Sequence, residues 1–237
     1  MYSKGHRYIG EWYDNKKNGY GKFYYQDGHI YEGMWKNDLR HGKGKMTYYP
    51  NTVVEEVLTF ISPIQDYFLC KRAITLRYLS KSYDGDWVDD QKHGKGKYSF
   101  RADEGTTYEG DWVWNIRDGV GTLKYRDGSF YRGEFKREQM WGKGVYVHND
   151  GSQYDGDWVN NMRHGVGTLM SSDGTMYQGE FWSNMKQGKG MEIRSDGSRY
   201  EGTWDIGLVV GEGKRTLMCG QGPHGGPTEI TLKVFSF

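Results

Sequence analysis

The sequence has little cysteine, little proline and no long hydrophobic run. Its 237 residues include 2 cysteines and 4 prolines, and Cys70 and Cys219 are too far apart to form a CxxC motif. Such cysteine usage is typical of a reducing compartment. No run approaches the ~18 apolar residues that a membrane helix needs, and the N-terminus lacks the apolar segment of a signal peptide. These absences predict an intracellular, soluble protein.

An excess of charge of one sign is also missing. The chain has 32 Lys and Arg against 31 Asp and Glu, and a net charge of +1 gives no general attraction to nucleic acid. Glycine and aromatic residues are abundant instead, with 36 Gly, 20 Tyr and 9 Trp. Disordered chains are poor in aromatic residues, so this composition predicts an ordered fold. Tyr and Trp bury their ring faces while their polar tips stay hydrated, which suits a thin structure.

A short phrase, Y-x-G-x-[WF], recurs throughout the chain. Successive copies are separated by 23, 52, 25, 23, 23, 23 and 23 residues, and the long interval is one period plus 29 extra residues. A fixed period of this kind indicates a repeat protein. The eight copies begin at Tyr8, Tyr31, Tyr83, Tyr108, Tyr131, Tyr154, Tyr177 and Tyr200.

Each copy has the pattern of a β-hairpin. Tyr154, Gly156 and Trp158 alternate with acidic residues and so share one face of a strand. The polar stretch 159–164 predicts a six-residue loop, and the G-x-G that follows it opens a second strand. Asp173-Gly174 then supplies the positive φ of a tight turn that leads into the next copy.

The glycines on the aromatic face predict aromatic-over-glycine packing. A glycine leaves a gap in the side-chain layer of a strand, and a neighbouring ring can lie flat across it. A single hairpin is barely stable alone, so the copies must stack to bury this layer. The repeat aromatics are Tyr8, Trp12, Tyr31, Trp35, Tyr83, Trp87, Tyr108, Trp112, Tyr131, Phe135, Tyr154, Trp158, Tyr177, Phe181, Tyr200 and Trp204.

The phrase YDGDWVNNMRHGVG, at 154–167, resembles the MORN repeat (membrane occupation and recognition nexus). The resemblance covers 8–49 and 83–213. It implies an all-β fold: an elongated, twisted, open-ended antiparallel array of β-hairpins, one MORN repeat per hairpin, without catalytic activity of its own. Within the family, 6–28 and 108–128 look most like the repeat arrays of radial spoke head proteins.

The pattern divides the chain into four segments. Residues 1–52 hold the first two repeats and begin inside a partial repeat, and 53–80 form an apolar insertion. The insertion is open to three interpretations: an ornamental loop or gene-model error, an element packed on the sheet, or a partner-docking patch. Residues 81–213 hold repeats three to eight. In the tail, 214–237, the alternation over 228–235 predicts a strand that pairs with the eighth repeat and caps the sheet.

Candidate sites for chemistry are few, and we expect no cofactor. The sequence has no P-loop, HExxH or G-x-S-x-G motif. His41, His93 and His164 precede the first glycine of their G-x-G, but copies lie ~10 Å apart, too far for one shared metal ion. We expect these histidines to bond loop backbone instead, as Asn18 and Asp118 do in other copies.

Carboxylates recur at one strand position on the face away from the aromatic layer. A row with a spacing of ~10 Å on an open sheet offers no catalytic pocket. We interpret the row as a solvated face. Its members are Glu11, Asp86, Asp111, Glu134, Asp157 and Glu180.

Basic residues concentrate around the expected hairpin loops. Because every repeat places its loop in the same way, these loops should line one long edge, where basic side chains can contact anionic lipid headgroups or acidic protein segments. Nearby acids cancel much of this field, so ordinary solubility is an equal explanation. The candidate contacts are Lys16, Lys17, Lys36, Arg40, Lys92, Arg117, Lys136, Arg137, Arg163 and Lys186.

Three functional hypotheses follow. The first is a non-enzymatic scaffold that binds proteins in a ciliary, axonemal or cytoskeletal assembly, as the family resemblance implies. The second is a peripheral module on the cytoplasmic face of a membrane that binds anionic phospholipids. The third is a regulatory repeat fragment of a larger enzyme. The open sheet ends also predict that chains can associate with one another.

Overall fold

The computed structural model describes residues 5–49, 80–101, 105–221 and 227–236; for 218–221, 227–232 and 234–236 it describes the backbone alone. Every regular element in these residues is a β-strand. The chain divides into two compact units, Met1–Arg126 (unit 1) and Asp127–Phe237 (unit 2). Each unit holds its own run of hairpins.

The strands follow the repeats. Unit 1 contains β1 (Arg7–Tyr13), β2 (Lys16–Tyr24), β3 (Ile30–Lys36), β4 (Leu39–Tyr48), β5 (Lys81–Val88), β6 (Gln91–Ser99), β7 (Thr107–Val113) and β8 (Ile116–Lys124). Unit 2 contains β9 (Phe130–Lys136), β10 (Gln139–Val147), β11 (Gln153–Val159), β12 (Met162–Met170), β13 (Met176–Trp182), β14 (Met185–Ile193), β15 (Arg199–Asp205), β16 (Leu208–Gln221) and β17 (Pro227–Ser236).

Within each unit every strand pairs antiparallel with the next one in sequence. The all-β array of antiparallel hairpins predicted from the repeat is therefore confirmed in both units. The register places glycine opposite glycine, as where Gly167 faces Gly156 within its hairpin and Gly179 of the next hairpin. Tyr154 and Trp158 are buried, whereas Asp155 between them is exposed, so the predicted alternation is also present.

The turn inside each repeat is shorter than the sequence predicted. β11 ends at Val159 and β12 begins at Met162, so Asn160 and Asn161 alone connect them. Their φ angles are 51° and 64°, as a type I′ turn requires, and asparagine tolerates this conformation well. The prediction of a six-residue loop was wrong because Val159 pairs with Met162 and extends the ladder to the turn.

The second turn residue also joins neighbouring hairpins. Asn161 Oδ1 accepts a hydrogen bond of 2.8 Å from the backbone N–H of Met140 in the preceding hairpin. The N–H of Asn161 donates in return to the Met140 carbonyl at 3.1 Å. The same side-chain bond is made by Asp38, Asp90, Asn115 and Asn184 to the N–H groups of Lys17, Arg40, Lys92 and Arg163.

The turns between repeats have the predicted Asp-Gly chemistry. Gly174 has a φ of 85°, which a residue with a side chain adopts only at a cost. Asp173 Oδ1 accepts a hydrogen bond of 2.8 Å from the N–H of Thr175. Gly174 supplies the positive φ of the turn, and the side chain of Asp173 fixes the N–H of Thr175. The two residues thus direct the chain into β13.

The insertion falls almost wholly outside the described residues, so its three interpretations stay hypotheses. The strands on either side of it are described: β4 and β5 pair directly, with Gly44 facing Gly85. The second and third repeats are therefore neighbours in the sheet of unit 1. In the tail, β17 pairs with β16 as predicted, from Gly211–Ser236 to Gln221–Pro227; its role as a cap stays a prediction.

The turn of the eighth repeat offers a route to higher stability. Ile206 occupies a turn position with a φ of 49°, where a β-branched side chain is disfavoured by about 1–2 kcal/mol. We expect Ile206→Asn to raise the free energy of unfolding by about 1 kcal/mol, measured by urea denaturation. Ile206→Val keeps the branched side chain and should leave stability unchanged. Equal midpoints for both variants would contradict this account.

Candidate functional site

Each repeat tyrosine lies over a pair of glycines. A Cβ added to Gly156 or to Gly167 would lie 2.5 Å from Tyr154 Oη, so neither position has room for a side chain. The phenol donates hydrogen bonds to the carbonyls of Asp157 at 3.0 Å and His164 at 3.2 Å. The predicted aromatic-over-glycine packing is confirmed. It recurs at Tyr8, Tyr31, Tyr83, Tyr108, Tyr131, Tyr177 and Tyr200.

Within each unit, the tryptophan or phenylalanine of a repeat connects its hairpin to the preceding hairpin. Trp158 makes T-shaped contacts with Tyr154 at 5.2 Å and with Tyr131 of the preceding repeat at 5.3 Å, measured between ring centroids. Its Nε1–H donates to the Gly144 carbonyl at 2.9 Å. Trp12 is the exception, because its side chain is 52 % exposed.

Burial controls the ionisation of these tyrosines. Desolvation, with smaller contributions from the charges of Glu180 and Glu192, raises the pKa of Tyr177 to about 12. Desolvation likewise raises the pKa of Tyr131 and Tyr154 well above the usual value. The phenols are therefore neutral at physiological pH and serve as hydrogen-bond donors to the backbone.

The carboxylate row has a structural role that the sequence did not reveal. Asp157 Oδ2 accepts a hydrogen bond of 2.9 Å from the N–H of Val166, and its Oδ1 lies 2.7 Å from Lys143 Nζ. Although desolvation raises the pKa of Asp157, the hydrogen bonds from Lys143 and Val166 together bring it below the usual value. The row faces solvent, as the sequence led us to expect, and Glu11, Glu134 and Glu180 are exposed. In addition, each carboxylate satisfies a backbone donor. Glu11, Asp86, Asp111, Glu134 and Glu180 accept likewise from Tyr20, Lys95, Val120, Lys143 and Lys189.

The bulge in the facing strand explains this carboxylate bond. The ladder between β11 and β12 shifts register after Gly156, where one strand carries extra residues. Gly165 has a φ of 54° at this point, and a Cβ there would lie 2.7 Å from Asp157 Oδ2. A bulge leaves a backbone N–H outside the ladder. The first glycine of G-x-G thus forms the bulge, and the second lies beneath the tyrosine.

The ten basic residues lie in or beside the turns and not on the six-residue loops that were predicted. Their contact with lipid or acidic segments stays a prediction. Only Arg137 lies in a turn; the other nine lie in strands, because the turns have two residues. Arg40 Cζ lies 4.4 Å from the Trp87 ring centroid, and Lys92 Nζ lies 4.4 Å from that of Tyr98. Such cation–π contacts hold a cation against the aromatic face.

Two groups of basic residues can therefore be distinguished. The residues that lie over aromatic rings and are partly buried are Lys17, Arg40, Lys92, Arg117, Arg163 and Lys186. The residues that remain exposed are Lys16, Lys36, Lys136 and Arg137. Of these, Lys136 is exposed although its Nζ lies 4.7 Å from the Trp141 ring centroid. Any electrostatic contact with lipid would fall mainly on this second group.

The histidines contact the next turn through their side chains. His41 Nδ1 lies 3.3 Å from Asp89 Oδ1. The His164 ring makes a tilted contact with the Trp182 ring, with a centroid distance of 4.4 Å. The His93 ring makes a tilted contact with the Trp114 ring, and the buried Nδ1 of His93 has no hydrogen-bond partner. The expected bonds to loop backbone are wrong for these side chains, whereas Asn18 does bond the Tyr13 carbonyl, at 3.2 Å. Among the described residues, no three His, Cys, Asp or Glu side chains are grouped closely enough for a metal ion.

A group of exposed apolar side chains near the last turns of unit 2 was not predicted from the sequence. Trp182 is paired with Met185 across its hairpin. In the hairpin of the eighth repeat, Ile206 is a turn residue and Leu208 directly follows the turn. The side chains of these four residues are 60 %, 41 %, 64 % and 71 % exposed, respectively. We call these four residues the apolar row. The available signal was the set of four large apolar residues at or directly beside these two turns. No described segment forms a helix long and apolar enough to cross a bilayer.

The family of the chain follows from the repeats. The family model described as "MORN repeat" matches residues 8–30, 31–53, 83–102, 108–130, 131–153, 154–176 and 177–199. These matches span more than half of the chain, which therefore belongs to the MORN repeat family. The copy that begins at Tyr200 is not among them, although it forms the same hairpin.

A search of curated proteins finds no match. Two solved structures are similar over most of their length, each at 10 % identity. One is the TCP domain of SAS-4 (dCPAP) from Drosophila melanogaster with a proline-rich motif of Ana2; it covers 94 % of this chain and 88 % of that one, with a TM-score of 0.33. The other is the TCP10 domain of Danio rerio CPAP with a STIL peptide. This similarity covers 92 % of this chain and 84 % of that one, with a TM-score of 0.41. At these TM-scores neither likeness carries an inference about this chain.

Proposed function

We propose that this protein is a non-enzymatic scaffold that binds other proteins in a cytoskeletal or ciliary assembly. The apolar row is the observation that carries the proposal. Exposed apolar clusters on folded proteins usually mark interaction surfaces. Trp182 and Leu208 each expose more than half of their side chain, and removal of such surface from water favours association.

The internal bonding of the repeat supports the same proposal. Most of the polar groups described above are engaged within the sheet. The tyrosine phenols and the carboxylate row bond backbone groups, and six of the ten candidate basic residues lie over aromatic rings and are partly buried. Asp157, for example, is engaged by both Val166 and Lys143. The polar groups that recur in every repeat thus stabilise the array, whereas the apolar row belongs to the last two repeats. Val113, Trp114 and Ile116 form another exposed apolar group, at the turn of the fourth repeat. In this proposal, the residues that differ between repeats at the turns form the binding surface. The residues that recur in every repeat hold the sheet together.

Sedimentation with purified assemblies tests this function. The probes are demembranated axonemes, detergent-extracted cytoskeletons and phosphatidylserine vesicles, each at low and high salt. We expect the chain to sediment with axonemes or cytoskeletons, and Trp182→Ser with Leu208→Ser to reduce binding at least tenfold. Val120→Thr, which changes an exposed apolar side chain of unit 1, is the matched control and should bind like the parent chain.

The alternative outcomes distinguish the hypotheses. Sedimentation with anionic vesicles alone, lost at high salt, would replace the scaffold by a membrane-surface module that uses Lys16, Lys36, Lys136 and Arg137. Sedimentation with none of the three probes would contradict both. Binding that persists in the double variant would show that the apolar row is not the contact surface.

A further inference from the structure

Arg163 is a cation on the aromatic face of unit 2 that has no acidic partner among the described residues. Its Cζ lies 5.8 Å from the Tyr154 ring centroid and 5.7 Å from that of Phe181. Its Nη2 donates a hydrogen bond of 3.0 Å to the Asn184 carbonyl. The side chain is partly buried, so these contacts hold the guanidinium in one place.

Two repeats of unit 1 show how a cation at this repeat position is neutralised. Arg40 Nε donates to Asp90 Oδ1 at 2.8 Å, and its Nη2 donates to the Asp90 carbonyl at 3.0 Å. Lys17 Nζ lies 3.1 Å from Asp38 Oδ1. In both cases the carboxylate belongs to the second turn residue of the next hairpin, which therefore serves as the counter-ion.

Asn184 occupies this turn position in the hairpin that follows Arg163. Its Oδ1 accepts a hydrogen bond of 2.9 Å from the N–H of Arg163, just as Asp90 Oδ1 accepts one of 2.9 Å from the N–H of Arg40. The backbone connection is therefore the same in the two repeats. The side-chain amide carries no charge, however, and the described residues place no carboxylate beside Arg163 Nε.

A second source of a counter-ion is also missing beside Arg163. Lys186 has the same position one repeat later, and its Nζ lies 2.7 Å from Glu192 Oε2. The residue that corresponds to Glu192 in the repeat of Arg163 is Leu169, 23 positions earlier. The two positions that supply a carboxylate to equivalent cations thus hold an amide and an apolar side chain here.

The environment of Arg163 favours a bound anion. Burial lowers the pKa of this guanidinium below its usual range, yet arginine stays protonated at physiological pH. A partly buried charge without a partner is unfavourable, because little water replaces the missing counter-ion. The planar fork of N–H donors matches the two oxygens of a carboxylate.

We propose that Arg163 binds a glutamate or aspartate side chain from an acidic segment of a partner protein. The incoming carboxylate takes the place that Asp90 has beside Arg40 and accepts a hydrogen bond from Arg163 Nε. A carboxylate is the expected ligand because each described counter-ion at this repeat position is one. Phe181 and Tyr154 keep the guanidinium on the aromatic face, where the partner segment would lie.

Titration of the full chain with fluorescein-labelled heptaglutamate, followed by fluorescence anisotropy at low salt, tests this site. Asn184→Asp gives Arg163 the internal counter-ion that Arg40 has, and Arg163→Gln removes the cation. We expect each substitution to raise the dissociation constant at least fivefold. Arg132→Gln is the matched control, because it removes an exposed arginine of the same unit and should change the constant less than twofold.

The control separates the site from general electrostatics, since all three substitutions lower the net charge by one. Equal weakening by all three, or unchanged binding by Asn184→Asp, would overturn the proposal, as would a parent chain that does not bind the peptide. Circular dichroism checks the fold, which we expect Asn184→Asp to keep because Asp90 makes the same backbone bond. The apolar row is unaltered in these variants, so this result and the sedimentation result can fail independently.

Discussion

Replacing Trp158 by alanine is expected to lower the free energy of unfolding by about 4 kcal/mol, the loss typical of a fully buried tryptophan. The side chain is buried against Tyr131 and Tyr154 and bonds the Gly144 carbonyl. Its removal opens a cavity at the joint between two hairpins, where the repeats depend on each other. Urea denaturation followed by far-ultraviolet circular dichroism measures the effect without relying on the lost fluorophore.

Trp158→Phe is the matched control. Phenylalanine occupies the same repeat position at Phe135 and Phe181, where it contacts its tyrosines in the same T-shaped geometry. The ring contacts should survive and only the indole hydrogen bond to Gly144 be lost, at a cost of about 1 kcal/mol. A loss as large as that of Trp158→Ala would show that the hydrogen bond, and not ring packing, holds the joint.

Replacing Gly167 by alanine should cost about 3 kcal/mol, the upper part of the range for an overpacked core. The new Cβ would lie 2.5 Å from Tyr154 Oη and 2.6 Å from two ring carbons. The tyrosine must then move away from the backbone and give up its bonds to the carbonyls of Asp157 and His164. Denaturant unfolding should show the loss.

Gly151→Ala separates this steric effect from backbone conformation. Gly151 has a φ of 85° and open space around its Cβ position. Alanine there should cost only the strain of the left-handed conformation, about 1 kcal/mol. If Gly151→Ala were as destabilising as Gly167→Ala, the tyrosine ring would not be what requires glycine beneath it.

The fold itself was predictable from local pattern. The alternation of Tyr154, Gly156 and Trp158 specifies one face of a strand, and Asp173-Gly174 specifies the turn that follows. These signals act over a few residues and recur in every repeat, so neighbouring copies reinforce the same prediction. The packing of Tyr154 over Gly167 also followed from sequence, since a strand glycine leaves room that an adjacent ring can fill.

The chemistry of the polar residues was not predictable in the same way. The sequence placed Asp157 on a solvated face but did not reveal its hydrogen bond with the N–H of Val166, because that bond crosses a bulge whose position depends on strand register. The loop prediction for 159–164 failed for a related reason, because pairing across the hairpin extends both strands to a two-residue turn. Composition and spacing do not show which backbone N–H groups lie outside the strand ladder. They also do not show where the register between two paired strands shifts.

The sequence by itself determined the repeat, its strands, its linking turns and the aromatic-glycine layer, because each depends on residues close in the chain. Only the tertiary structure decided which charged groups are available for contact. Arg40 lies over Trp87 across more than forty residues of sequence, while Trp182 and Leu208 stay exposed near the last turns. Exposure depends on what packs above a side chain, and that neighbour comes from another repeat.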